Sequence, residues 1–186
     1  MVVIGITGTL GAGKGTIVEY LKAKYNFSHY SVRDYLIEEI TKQGLKVDRD
    51  SMTMVANNLR ATHSPSFITD QLYLRAIEKD NNCIIESIRT PGEILSLKAK
   101  TSFYLFAVDA DPKLRYERIT IRKSDTDSID FQTFLDNEAR EMNTSDPNKQ
   151  NLSKCISMAD FVFNNDGDIE SLNKEIKKVL TNILQI

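Results

Sequence analysis

The sequence has no tryptophan, two cysteines, two histidines and four prolines. Its charge almost cancels: 24 basic against 26 acidic residues, a formal net charge of −2. Each scarcity excludes something. Cys83 and Cys155 form no C-x-x-C pair, and His29 and His63 are the only histidines. The chain is therefore not expected to hold a Cys/His zinc site or to rest on a disulfide framework. Two isolated thiols suit a reducing cytosol, where they serve as small buried hydrophobes. Near-neutral charge argues against a nucleic-acid groove, because neutralising a phosphate strand needs a surplus of Lys and Arg. It still allows one small phosphorylated molecule, which needs only a few local cations. No apolar run approaches the ~18 residues of a membrane span. The start, Met1-Val2-Val3-Ile4, lacks the basic residues of a signal peptide. The expectation is a cytoplasmic protein with no membrane partner and an oligomeric state left open.

What is present is ordinary in bulk: 186 residues, 41% apolar and 27% charged. That is about one domain, long enough to hide roughly 70% of its extended surface. Short apolar runs alternate with helical patterns. Strands are expected at 2–7, 28–31, 82–86, 102–108 and 160–163. Helices are expected at 14–25, from Ser31 to Gln43, at 51–62 capped by Asp50, at 66–79, from Thr90, from Asp111-Pro112 to Arg122, at 131–142, and from Asp168 onward. Thr90-Pro91-Gly92-Glu93 is a capping box with Pro at the first helical position. The final segment carries Ile169, Leu172, Ile176, Val179, Leu180 and Ile183 on one face, the pattern of a helix packed on a sheet. Lys123 to Asp130 reads as a polar loop. Alternation of this kind predicts a parallel sheet covered by helices on both faces, with ligands at the carboxyl ends of its strands.

Four of the eight glycines lie within Gly8-Thr9-Leu10-Gly11-Ala12-Gly13-Lys14-Gly15-Thr16, directly after the first strand. Glycine lets successive N–H groups turn toward one anion. The following helix adds the positive end of its dipole. Lys14 can reach the β- and γ-phosphates of a nucleotide, and the Thr16 hydroxyl can bond a phosphate oxygen. Gly8, Gly11, Ala12, Gly13, Lys14, Gly15 and Thr16 are therefore the expected nucleotide-binding residues. In the usual loop, Ser or Thr directly after the Lys holds Mg²⁺. Here Gly15 stands there and Thr16 follows.

The G-K-G-T order resembles the adenylate kinase branch of the P-loop kinases and points away from GTPases and AAA-type ATPases. The likeness extends along most of the chain. Asp34, after the second strand, matches that branch's Asp, although Ile37 replaces its usual Arg and Arg33 precedes the Asp. Glu86 ends the third strand, with Arg89 three residues on. Arg118 and Arg122 lie one helical turn apart after the fourth strand. Asn164-Asn165-Asp166-Gly167 follows the fifth, as in dephospho-CoA kinase-like proteins. The chain thus resembles nucleoside monophosphate kinases related to adenylate kinase and dephospho-CoA kinase.

This resemblance implies a single P-loop NTPase domain over 1–186, with sheet order 2-3-1-4-5. It also implies an acceptor-binding helical region at about 32–80 and a small helical lid at about 120–142. ATP and Mg²⁺ would be the cofactors and a small nucleotide acceptor the partner. Lys14, Arg118 and Arg122 would neutralise the donor phosphates. Arg33, Asp34, Arg60 and Arg89 would hold the acceptor, with Asp34 serving as base if that acceptor offers a hydroxyl. Thr16 and, through water, Glu86 would serve the metal. Against these roles stand plainer ones: Arg33 and Asp34 as a solvated first turn, Arg60 as an exposed helix arginine, and Arg118 and Arg122 as surface charges. A nucleotide-binding regulatory module with little catalysis is the alternative in another class.

Overall fold

Val2–Gly8 forms β1, the middle strand of a five-stranded parallel sheet. The computed structural model describes residues 1–122 and 129–185. The remaining strands are β2 (Ser28–Ser31), β3 (Cys83–Glu86), β4 (Ser102–Asp109) and β5 (Phe161–Asn164), in the order β2-β3-β1-β4-β5. This is the expected order. β1 pairs with β3 on one side and β4 on the other, so the chain turns outward in opposite directions from β1. A crevice opens at such a switch point, beyond the carboxyl ends of the strands.

Helices cover both faces. α1 (Lys14–Tyr25) and α9 (Ile169–Leu184) pack with Ile4, Ile6, Ile84, Phe106 and Val108. On the other face α2 (Val32–Lys42), α3 (Arg49–Thr62), α4 (Phe67–Ile77), α5 (Pro91–Lys100) and α8 (Leu152–Ser157) gather around Val3, Ile85 and Leu105. Alternate residues of β1, β3 and β4 feed opposite cores, which is why these central strands read as near-continuous apolar runs. α6 (Pro112–Arg122) and α7 (Phe131–Met142) lie beyond the end of β4.

Two expectations shift. Asp48, not Asp50, caps α3, because its carboxylate accepts from the Ser51 N–H in a reciprocal capping box. The polar segment before β5 contains a further short helix, α8, started by Asn151, whose side chain accepts from Lys154 N–H. Most of the polar loop assigned to Lys123–Asp130, residues 123–128, lies outside the described residues. Among those described, no helix is long and apolar enough to cross a membrane.

Candidate active site

The Gly-rich loop leaves β1 and enters α1 at Gly13, whose φ is 102°. Only glycine holds this angle cheaply. A Cβ here would also stand 2.2 Å from Asn165 Nδ2. That amide donates to Ala12 O at 2.9 Å, so the Asn-Asp-Gly segment after β5 braces the loop from behind. Side chains cap α2, α3, α5, α7, α8 and α9, but no side chain caps α1, and its first turn carries no acid. The positive end of α1 is therefore left to whatever the loop binds. Lys14 Nζ donates to Gly8 O at 2.9 Å and Thr9 O at 2.8 Å, lying across the loop. Burial, assisted by the charge of Arg89, lowers its pKa to about 8 against the partial opposition of Glu86 and Glu141.

The loop forms one wall of a cavity of ≈ 730 Å³. That is the size of a small-molecule site. Lys14, Thr16, Arg33, Arg60, Glu86, Arg89, Arg118 and Arg122 all line it, so arginines from four separate segments converge as expected. Three expected site residues do not line it: Asp34 is exposed in the first turn of α2, and Gly8 and Ala12 are buried within the loop.

Glu86 ends β3 and hydrogen-bonds His29 Nε2 at 3.1 Å across to β2. Burial opposes its ionisation, but His29, Lys14 and Arg89 outweigh it and hold the carboxyl below its ordinary value. Ser87 follows with φ 71°, an angle unusual for a residue with a Cβ. The Ser87 and Ile88 N–H groups both donate to Ile6 O, so this bend anchors the loop after β3 to the central strand.

Arg60 is 2% exposed and bound to Glu93 through Nε and Nη2, at 3.3 and 2.9 Å. The expected acceptor ligand is thus first a buried strut. Glu93 also accepts from the backbone N–H groups of Arg89 and Thr90, at 2.7 and 3.0 Å. The pair therefore positions the Arg89 backbone. Arg60 Nη1 is buried without a partner at the cavity wall. Arg118 is similar. Its Nη2 donates to Asn165 O at 2.8 Å, while its Nη1 is buried and unpartnered. Such groups are costly unless something accepts from them.

Sequence reading missed three residues. Arg115 of α6 is buried. It donates to Ala110 O at 2.8 Å and Leu10 O at 3.2 Å, and pairs with Glu138 of α7. It thereby ties the phosphate loop to α7. Arg49 of α3 and Glu141 of α7 form the other omission. Glu141 joins Arg49 and Arg89 in one ion-paired group inside the cavity. The one available signal was the i, i+3 spacing of Glu138 and Glu141, which places both on one helix face.

A family model described as an AAA domain matches residues 4–146. UPF0200 proteins match over nearly the whole chain. That of Methanococcus vannielii is 32% identical, covering 98% of this chain and 99% of its own. That of Methanococcus maripaludis strain C7 is 31% identical, covering 100% and 99%. The chain belongs to the UPF0200 family. Among solved structures, TT1252 from Thermus thermophilus has a TM-score of 0.63 at 18% identity, covering 97% of both chains. Shikimate kinase from Bacteroides thetaiotaomicron has a TM-score of 0.60 at 15% identity, covering 96% of this chain and 98% of that one. This UPF0200 chain therefore has the P-loop kinase fold. The AAA description stands beside a G-K-G-T order that pointed away from AAA-type ATPases; the phosphate loop is the feature common to both groups.

Proposed function

We propose that this UPF0200 protein moves the γ-phosphoryl group of ATP to a small acceptor, a nucleoside or deoxynucleoside monophosphate or a similar nucleotide-like molecule. One observation supports this above the rest. One cavity is lined both by the phosphate loop and by arginines from α2, α3 and the β3–α5 connection.

The residues fit a nucleotide donor. Gly13 shapes the cradle, α1 turns an uncapped N-terminus toward it, and Arg118 Nη1 lacks an acceptor that a phosphate oxygen can supply. Bound there, ATP would supply the phosphoryl group, and Thr16 and, through water, Glu86 would be the residues to hold its Mg²⁺. Lys14, Arg118 and Arg122 neutralise negative charge on the donor side. Arg33 and Arg89, with Arg60 Nη1 behind them, hold the acceptor, which lies between α2 and α3 as the 32–80 region implies. Residues of α6 and α7, in the 120–142 region, cover the reaction and keep out water, a competing acceptor. Positioning and charge neutralisation suffice for phosphoryl transfer, without a covalent enzyme intermediate.

The placement of Asp34 bears on the alternative, phosphorylation of a hydroxyl in the dephospho-CoA kinase manner. A hydroxyl acceptor benefits from a base. Asp34 does not line the cavity, and the carboxylates that do, Glu86 and Glu141, are engaged by His29 and by Arg49 and Arg89, which favours a phosphomonoester acceptor that needs no base. The test is a coupled ADP-release assay with ATP, Mg²⁺ and a panel of nucleoside and deoxynucleoside monophosphates plus dephospho-CoA. Transfer to a monophosphate is expected. ATP binding with no transfer to any acceptor would instead mark a regulatory module.

A further inference from the structure

Glu141 holds a position unlike that of an ordinary surface acid. Its side chain is 13% exposed, and the carboxylate stands between Arg49 of α3 and Arg89 of the β3–α5 connection, one oxygen to each. Gln150 Oε1 accepts from the same Arg89 Nη1 at 2.9 Å. Two guanidinium groups aimed at one point repel each other unless an anion lies between them. Burial opposes charge on Glu141, but Arg89 and then Arg49 hold its carboxyl below the ordinary value, so it supplies that anion. Guanidinium forks match carboxylate and phosphate oxygens equally well.

The location adds to this. Arg49, Thr53, Glu141 and Gln150 line both the ≈ 730 Å³ cavity and an adjoining one of ≈ 320 Å³. The smaller cavity is also lined by Arg140 and Lys149, against the single further acid Asp50, so its charged lining is mostly basic. Glu141 thus stands where the two spaces meet.

We propose that Arg49 and Arg89, with Gln150, form an anion subsite for the acceptor, and that Glu141 is its resident occupant, exchanged for the acceptor's own phosphomonoester or carboxylate. That the ligand is an acceptor rests on the kinase reading. The anion exchange is read at equilibrium without phosphoryl transfer, so the two fail separately.

The experiment titrates inorganic phosphate and, in a separate arm, acetate into the wild-type chain, E141Q and E141Q/R49A, with calorimetric detection. E141Q lacks the competing charge and is expected to bind one of the two anions at least tenfold more tightly than wild type. The arm that gains identifies the acceptor group as phosphomonoester or carboxylate. The gain is expected to vanish in E141Q/R49A, which separates this subsite from the phosphate loop. Unchanged or weaker binding of both anions by folded E141Q overturns the proposal. Should E141Q fail to fold, amide exchange of residues 131–142 in the wild-type chain decides. Exchange that rises as phosphate or acetate displaces Glu141 supports the subsite, and exchange insensitive to both overturns it.

Discussion

Lys14 allows a quantitative test of the phosphate loop. Burial brings its pKa to about 8, well below the 10.5 of a free lysine. A bound polyphosphate favours the ammonium and pulls that pKa back up. Nucleotide affinity should therefore be full below pH 8 and fall above it, because binding then requires proton uptake. With a pKa of about 8, roughly ten in eleven molecules carry the charge at pH 7 and one in eleven at pH 9. Affinity should drop roughly tenfold between those values, or about 1.4 kcal/mol. Cys83 and Cys155 are pushed up to about 12, and Tyr20, Tyr30 and Tyr35 are also raised, so they stay out of this window. The assay is isothermal titration of ADP from pH 7 to 9, in buffers of different ionisation enthalpy to count protons. Lys14→Met should bind at least a hundredfold more weakly, lose transfer to the same degree, and show no fall over this range. It should unfold no more easily than wild type. A folded protein's lysine with a lowered pKa opposes folding at neutral pH, and stability from this group rises as pH passes from 8 toward 10.5. A flat wild-type profile, or an equal fall in Lys14→Met, would refute the reasoning.

Three further outcomes can be checked directly. Glu93→Ala leaves Arg60 buried without its partner and removes the acceptor of two backbone N–H groups. Urea unfolding should show a loss of about 3–5 kcal/mol, with Arg60→Met losing less because Glu93 keeps its backbone bonds. Gly13→Ala places a Cβ against Asn165 at a φ of 102°, whereas nothing lies within 4 Å of a Cβ at Gly15. In ADP titrations Gly13→Ala should lose binding by at least two orders of magnitude, and Asn165→Ala, which removes the brace on Ala12 O, by about one. Both thiols are buried and protonated at neutral pH, so a thiol reagent should label neither in the native state and both in denaturant.

The legible part of this protein was local. β1, the phosphate loop and α1 occupy consecutive residues, and each signal is of short range: β-branched residues, then glycines at positive φ, then a lysine at a helix start. Thr90 and Glu93 announced α5 for the same reason, since a capping box is a contact across one turn. Helix ends were less legible where two acids compete, as at Asp48 and Asp50. α8 was hidden because its six residues are too few to show a period.

The amino-acid sequence by itself settled that strands and helices alternate, and which Gly-rich segment the proposed donor site is built on. Its near-zero net charge argued against a nucleic-acid groove but allowed a few local cations, and arginines far apart in sequence do converge on one cleft. Only the tertiary structure decided which of them line the cavity and which carboxylates hold them there. Arg60 meets Glu93 across 33 residues, Arg89 meets Glu141 across 52, and Arg49 meets it across 92. No spacing rule reaches over such intervals. A charge acquires its partner from the packing of α3, α5 and α7 about the sheet, and that packing is driven by apolar faces that carry no record of the charges on their edges.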